Sequence, residues 1–239
     1  MAKVVVVIPT YNERENIVRL IPAVLATTAG QGHDVQVLVV DDNSPDGTAQ
    51  AVEELARSDP RVGLLVRPSK RGIGTAYLEG FSTAITRYGP EVLVQMDADL
   101  QHPPELIPAL LSKIGEGFDV VVASRYVEGG GIVGWSLRRR LVSWGANWMV
   151  RVLLGLGVHD ATSGFRALSR EAVEALREMS LSGGGYSYQV ESLYRLSRRG
   201  FSVAEVPFTF RPREWGASKL GLREIVAFFK TVVRLALFG

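Results

Sequence analysis

The chain has 239 residues, 27 Lys and Arg against 25 Asp and Glu, and no cysteine. That length buries a large core without covalent staples, and 46% apolar with 22% charged residues excludes a disordered chain. The missing thiols exclude a disulfide scaffold, a Cys-ligated zinc site and a thiol nucleophile.

The first half of the chain alternates strands and helices. Residues 4–9 form a β-branched run typical of a buried parallel strand, too short for a secretory leader. Asn12 is placed to cap a helix over 13–29. A second strand over 35–40 ends in Asp41-Asp42-Asn43-Ser44, and Pro45-Asp46-Gly47 starts a helix to about Arg57. A strand at 62–66, a helix at 72–87 and a strand at 92–96 follow. Pro103-Pro104 opens another helix, because Pro near the first helical position loses no hydrogen bond. A fifth strand spans 119–123. This order predicts an α/β fold with a doubly wound, mostly parallel sheet flanked by helices. Beyond Arg125 the rhythm changes. A glycine loop at 128–131 precedes a helix over 137–156, with Arg138, Arg139 and Arg140 at its start. Strands are expected at 162–168 and 203–210, helices near 170–177 and 189–199, and a terminal helix over 220–237. With no repeat, linker or low-complexity tract, residues 1–239 read as a single domain.

Open α/β sheets bind ligands beyond the carboxyl ends of their strands. Here those ends carry Pro9-Thr10-Tyr11-Asn12-Glu13, Asp41-Asp42, Asp97-Ala98-Asp99 and Arg125. Clustered carboxylates repel one another unless a cation intervenes. Asp97 and Asp99, two apart just past a strand, are aimed together by one turn. Hard oxygen ligands without Cys or paired His indicate Mg²⁺ or Mn²⁺ shared with substrate phosphates, and Gln101 adds a neutral oxygen. No phosphate-binding P-loop and no Gly-x-Ser-x-Gly elbow is present. Gly72-Ile73-Gly74 suits either a phosphate or sugar at a helix mouth or a plain tight turn. His33, His102 and His159 are scattered and read as structural, with His102 adjoining the acidic motif.

Charge is unevenly spread. Residues 1–120 hold 10 basic and 16 acidic side chains, residues 121–239 hold 17 and 9, and 22 of the 27 cations are Arg. An Arg-rich half suits phosphate or a membrane surface. No nucleic-acid motif accompanies it, so no nucleic-acid partner is expected. No run of about 18 charge-free apolar residues predicts a membrane span. Residues 141–158 nevertheless carry one charge, Arg151, and adjoin the Arg cluster. On 222–237, Arg223, Lys230 and Arg234 share one helical face against a broad apolar remainder. Both segments (127–158 as an acceptor- or membrane-facing region, 220–238 as an amphipathic helix) fit either an interfacial role or core packing.

Four segments resemble family 2 glycosyltransferases of the GT-A fold: Val-Ile-Pro-Thr-Tyr-Asn-Glu at 7–13, Val-Asp-Asp-Asn-Ser-Pro-Asp-Gly-Thr at 40–48, Gly-Ile-Gly-Thr-Ala-Tyr at 72–77 and Met-Asp-Ala-Asp-Leu-Gln-His-Pro-Pro at 96–104. Ser-Arg-Tyr at 124–126, Gly-Trp-Ser-x-x-Arg-Arg at 134–140, Asp-x-Thr-Ser-Gly-Phe-Arg at 160–166 and Arg-x-x-Gly-x-Ser-Lys-Leu at 213–220 narrow the resemblance to dolichyl- or polyprenyl-phosphate mannose synthases. The resemblance implies inverting transfer of mannose from GDP-mannose to a polyprenyl phosphate, at the cytoplasmic face of a membrane. It implies that Pro9, Tyr11, Glu13, Val40 and Asp42 hold the nucleoside. Asp97, Ala98 and Asp99 would meet the diphosphate, with Asp97, Asp99 and Gln101 on the metal. Arg125, Arg213 and Lys219 would contact phosphate or sugar nucleotide, with Asp97, Asp99 and Arg125 catalytic and Arg138, Arg139 and Ser218 at the acceptor phosphate. Many relatives add carboxyl-terminal membrane helices, so a membrane surface or an anchoring partner is expected. A UDP-sugar transferase and a noncatalytic nucleotide-sugar-binding subunit are the alternatives.

Overall fold

The structure, a computed structural model, describes residues 2–181, 184–211 and 222–239. The chain opens on an interior strand, β1 (Lys3–Thr10), whose residues Val4 to Ile8 have no solvent exposure. Burial of each such side chain contributes about 1.5–3 kcal/mol. Alternation along β1 sends Val4, Val6 and Ile8 into one core layer and Val5 and Val7 into the other. Both faces therefore need helical cover, as a parallel sheet does.

The helices supply it. On the first face lie α1 (Arg14–Thr28), α2 (Thr48–Ser58) and α4 (Ile107–Gly115), the last entered through a 3-10 turn at Pro104–Leu106. On the second lie α3 (Ile73–Tyr88), α6 (Arg170–Glu178) and α7 (Tyr186–Arg198). There, α5 (Leu137–Leu154) and α8 (Leu222–Phe238) pack against each other, and α8 also packs on α7. Gly80 lets α3 settle on the sheet: a Cβ there would lie 2.6 Å from Val7 and 2.8 Å from Val40.

The other strands are β2 (Asp34–Asp41), β3 (Val62–Val66), β4 (Val92–Gln95), β5 (Val120–Ser124), β7 (Arg166–Ser169) and β8 (Val203–Pro207), giving the order β3-β2-β1-β4-β7-β5-β8. The sheet is mostly parallel, but β7 runs antiparallel to both β4 and β5. After β5 the chain leaves the sheet for α5 and returns from the opposite direction. The strand expected at 162–168 starts later, because residues 162–165 form a loop held by side chains. The strand expected at 203–210 divides at Phe208. Its second part, β9 (Thr209–Phe210), pairs with β6 (Gly131–Ile132), inside what reads as a glycine loop.

Asn12 does not cap α1. Its backbone is left-handed, with φ of 59°, and its N–H donates to Ser44 Oγ at 3.0 Å. The helix mouth is served instead from the β2–α2 loop: Glu13 N–H donates to Thr48 Oγ1 and Arg14 N–H to Asp46 Oδ2, both at 3.1 Å. Burial works to raise the Asp46 carboxyl, but the Thr48 hydroxyl and then the Arg14 N–H hold it below its ordinary value. Among the described residues no helix is long and apolar enough to cross a membrane.

Candidate active site

The carboxyl ends of β1, β2 and β4 open on a cavity of about 530 Å³. Tyr11 and Glu13 enter from β1, Asp42 from β2, and Asp97, Ala98 and Asp99 from β4. Gly72 and Ile73 close it with the mouth of α3, and Ala227 reaches it from α8.

Two adjacent aspartates after β2 have different tasks. Asp41 is fully buried and ties the loop: it accepts from Thr10 Oγ1 at 2.8 Å, Ser44 N–H at 2.8 Å and Ser44 Oγ at 2.6 Å. Asp42 faces the cavity and is held from behind by Arg67, whose Nε donates to Oδ1 at 2.6 Å. Arg67 is itself 1% exposed and also donates to Thr75 Oγ1 at 2.9 Å, linking β3 to the first turn of α3.

Asp97 and Asp99 follow β4. The Asp97 side chain remains about one-third exposed, and its Oδ1 accepts from Tyr77 O–H at 2.9 Å. Burial, and then the Asp97 charge, push the Tyr77 phenol well above its ordinary value, so it keeps its proton and stays a donor. The Asp97 N–H donates to His102 Nδ1 at 3.0 Å. Asp99 is nearly buried, and its Oδ1 accepts the Gln101 backbone N–H at 3.1 Å. Among the described residues no three His, Cys, Asp or Glu side chains group closely enough to hold a metal alone. Two carboxylates facing one cavity do fit a hard divalent cation completed by substrate phosphates.

The cavity thus unites Pro9, Tyr11, Glu13, Asp42, Asp97, Ala98 and Asp99, as the sequence indicates. It does not include Val40, which is core beneath Gly80. Gln101 lies to one side and donates its side-chain N–H to Arg211 C=O at 3.2 Å. Lys70 lines the cavity with its ammonium 4.3 Å from the Tyr11 ring centre, a contact that sequence reading omits. Arg213, Ser218 and Lys219 lie outside the described residues.

Arg125 is not free for a diphosphate in this arrangement. It makes a bidentate pair with the fully buried Asp160, 2.6 Å from Nε to Oδ2 and 2.6 Å from Nη2 to Oδ1, and also donates to Thr162 Oγ1. Trp135, Tyr126 and Phe210 surround it. Burial works to raise the Asp160 carboxyl, but the Arg125 charge outweighs it and holds it below its ordinary value. Arg166 carries a second buried charge, bound to the carbonyls of Ala161, Ser163 and Gln189. Burial pushes it down to about 10, so it remains a cation at neutral pH. These two arginines fix the 160–166 loop beside Asp97, where a Cβ on Gly164 would sit 3.5 Å from Oδ2. Arg139 lies over the Trp135 ring at 4.0 Å, and Arg138 is exposed at the start of α5.

An acidic crevice at the strand ends of an open, mostly parallel α/β sheet, with a helix mouth opposite, is the architecture of the GT-A glycosyltransferase fold. The sequence profile of glycosyl transferase family 2 matches residues 5–177, so the chain belongs to that family and is a glycosyltransferase. It is 45% identical over 219 residues to polyprenol monophosphomannose synthase of Mycolicibacterium smegmatis, covering 91% of this chain and 81% of that one. It is 40% identical over 218 residues to undecaprenyl-phosphate mannosyltransferase of Micrococcus luteus, covering 91% and 87%. Among solved structures, glucosyl-3-phosphoglycerate synthase from Mycobacterium tuberculosis, in complex with Mn²⁺, UDP and glucosyl-3-phosphoglycerate, shares the fold. Its TM-score is 0.69 at 22% identity, over 99% of this chain and 79% of that one.

Proposed function

We propose that this chain, acting as one catalytic unit, transfers mannose from GDP-mannose to a polyprenyl phosphate with inversion, giving polyprenyl-phosphate β-mannose and GDP. The observation that carries this is the placement of Asp97 and Asp99 in one cavity with Tyr11, Glu13 and Asp42, bordered by α8. The names of the two mannosyl-transferring relatives support the acceptor class and the sugar.

Pro9, Tyr11 and Glu13 hold the nucleoside, and Asp42, steadied by Arg67, meets its ribose or base. Asp97 and Asp99, with Gln101 nearby, would hold Mg²⁺ or Mn²⁺ where the diphosphate binds. That cation, when bound, offsets negative charge on the leaving GDP. A phosphate oxygen of the acceptor attacks the anomeric carbon, and the bond from that carbon to GDP breaks with its electron pair leaving on GDP. The acceptor's second pKa is about 6, so it is largely ionised at neutral pH and needs no strong base. Arg138 and Arg139, with Arg213, Ser218 and Lys219, draw the anionic acceptor towards an anionic donor. Arg125 acts through Asp160 and the 160–166 loop rather than as a free phosphate ligand.

The acceptor enters from a membrane, on its cytoplasmic face, at the surface made by α5 and α8. Trp144, Trp148, Val152, Phe229, Val233 and Leu237 all lie exposed there, while Phe228, Val232 and Leu235 of α8 pack inward. The packing reading of α8 describes its inner face, and the proposal assigns the interfacial reading to its outer face. Exposed aromatics beside Arg138, Arg139 and Arg151 suit an anionic lipid surface. Ala227 on the same helix borders the cavity, which supports entry of the acceptor along α8.

The test is transfer of labelled sugar to a short polyprenyl phosphate from GDP-mannose, UDP-glucose or UDP-N-acetylglucosamine, with EDTA and Mn²⁺ add-back. Metal-dependent transfer from GDP-mannose is expected. Transfer from a UDP-sugar alone, or none with any donor, overturns the assignment.

A further inference from the structure

Asp97 is gripped at more than one point by residues that do not line the cavity. Tyr77 on α3 donates its O–H to Oδ1 at 2.9 Å. It is fully buried, stacked against Phe81 at 5.9 Å and Tyr188 at 6.0 Å, so its ring has one available place. His102 accepts the Asp97 backbone N–H on Nδ1 at 3.0 Å, which assigns its proton to Nε2 in the neutral ring. Nε2 lies 3.8 Å from Asp97 Oδ2. The imidazole is stacked on Phe165 at 4.9 Å with 9° between planes. A partly exposed carboxylate otherwise turns freely about its terminal torsion. The phenol selects one orientation, and the imidazole fixes the backbone that carries it.

We propose that Tyr77 and His102 are positioning residues for cation binding, together holding Asp97 so that Oδ2 is presented to a divalent cation shared with the donor diphosphate. This rests on the reading of Asp97 as a cation ligand. Groups behind a metal ligand set its orientation, and their loss costs metal affinity or activity; here the affinity is expected to carry the loss, because neither side chain touches the reacting groups. Neither side chain needs to touch substrate. Tyr77 belongs to the Gly-Ile-Gly-Thr-Ala-Tyr segment, whose glycines otherwise draw attention to the helix mouth alone.

The test measures Mn²⁺ affinity of the full chain with saturating GDP, by electron paramagnetic resonance, alongside turnover against Mn²⁺ and melting temperature. Tyr77→Phe is expected to weaken Mn²⁺ binding about 10- to 100-fold, with most turnover returning at saturating Mn²⁺. His102→Leu should do the same. His102→Asn should restore affinity, because its amide oxygen can accept the N–H that Nδ1 accepted. Asp97→Asn separates the two readings. If it loses Mn²⁺ while Tyr77→Phe binds like wild type, the positioning role is wrong and the cation site stands. If Asp97→Asn itself keeps wild-type affinity, the cation reading fails and this inference with it. A Tyr77→Phe protein that melts lower but binds Mn²⁺ normally marks a packing role only and overturns the proposal.

Discussion

The two halves of the chain solve the placement of charge differently. From β1 to β5 regular strands end at one edge, so backbone geometry delivers Tyr11, Asp42, Asp97 and Asp99 to a common cavity. Beyond β5 the ladder is interrupted by α5, and buried ions do the holding. Arg125 clamps Asp160, Glu205 accepts the N–H groups of His159 and Asp160, and Arg166 gathers loop carbonyls. The same half leaves apolar side chains of α5 and α8 uncovered. The first half forms the acidic crevice, whereas the second frames its border and leaves apolar side chains exposed, the two surfaces to which the proposed function assigns nucleotide and lipid. The regular half positions its ligand groups mainly through hydrogen-bonded strands, with one ion pair behind Asp42, whereas the irregular half relies on paired charges throughout.

The largest expected effect tests that contrast in stability. Arg125→Met leaves Asp160 charged and unpaired in the interior and should cost about 3–5 kcal/mol in urea unfolding. Arg67→Met leaves Asp42 facing the cavity at the end of a regular strand and should cost less than Arg125→Met. Arg67→Met should in addition weaken nucleotide binding, measured by calorimetry with GDP. Unchanged stability in either variant breaks the claim that these pairs hold their loops.

Next comes Asp97→Asn, expected to lower turnover about 10²- to 10³-fold while the melting temperature stays near wild type. A folded variant with normal turnover removes Asp97 from the chemistry.

A smaller effect follows from pH. Asp160 is held below its ordinary value when folded, against about 3.9 when unfolded. Its contribution to stability is therefore present above about pH 4 and is lost as pH falls through the lower folded value. Melting temperatures should be level from about pH 7 to 5 and decline below about 4. A rise in stability on acidification over that range contradicts the pairing.

The smallest change in stability belongs to the exposed surface. Trp148→Ser and Phe229→Ser should stay within about 0.5 kcal/mol of wild type. Binding to anionic vesicles, by co-sedimentation, should nonetheless fall. Retained binding would move the membrane contact away from α5 and α8.

The sequence made the first half legible because two signals coincide there: β-branched runs at regular spacing, and acidic residues where those runs stop. Asp97 and Asp99 could be placed in a crevice from that pattern alone. Asn12 misled because a cap-forming residue type stands where the chain instead turns left-handed, and Ser44, Asp46 and Thr48 from a distant loop take over the bonding. The reversal of β7 was not legible, since four residues carry no mark of strand direction. The resemblance implies a phosphate contact for Arg125, whereas its pairing with Asp160, 35 residues away, is brought about only by the fold. Arg67 and Tyr77 had a faint signal, one just past a strand and the other in the glycine-opened helix. Their roles depend on contacts across 25 and 20 residues.

The central claim is that Asp97 and Asp99 together present a divalent cation to the departing diphosphate. Anomalous diffraction from crystals grown with Mn²⁺ and GDP addresses it directly. The account predicts a manganese peak bridging these two side chains and the diphosphate oxygens. Manganese bound to the nucleotide alone, or to other residues with both aspartates empty, would contradict it.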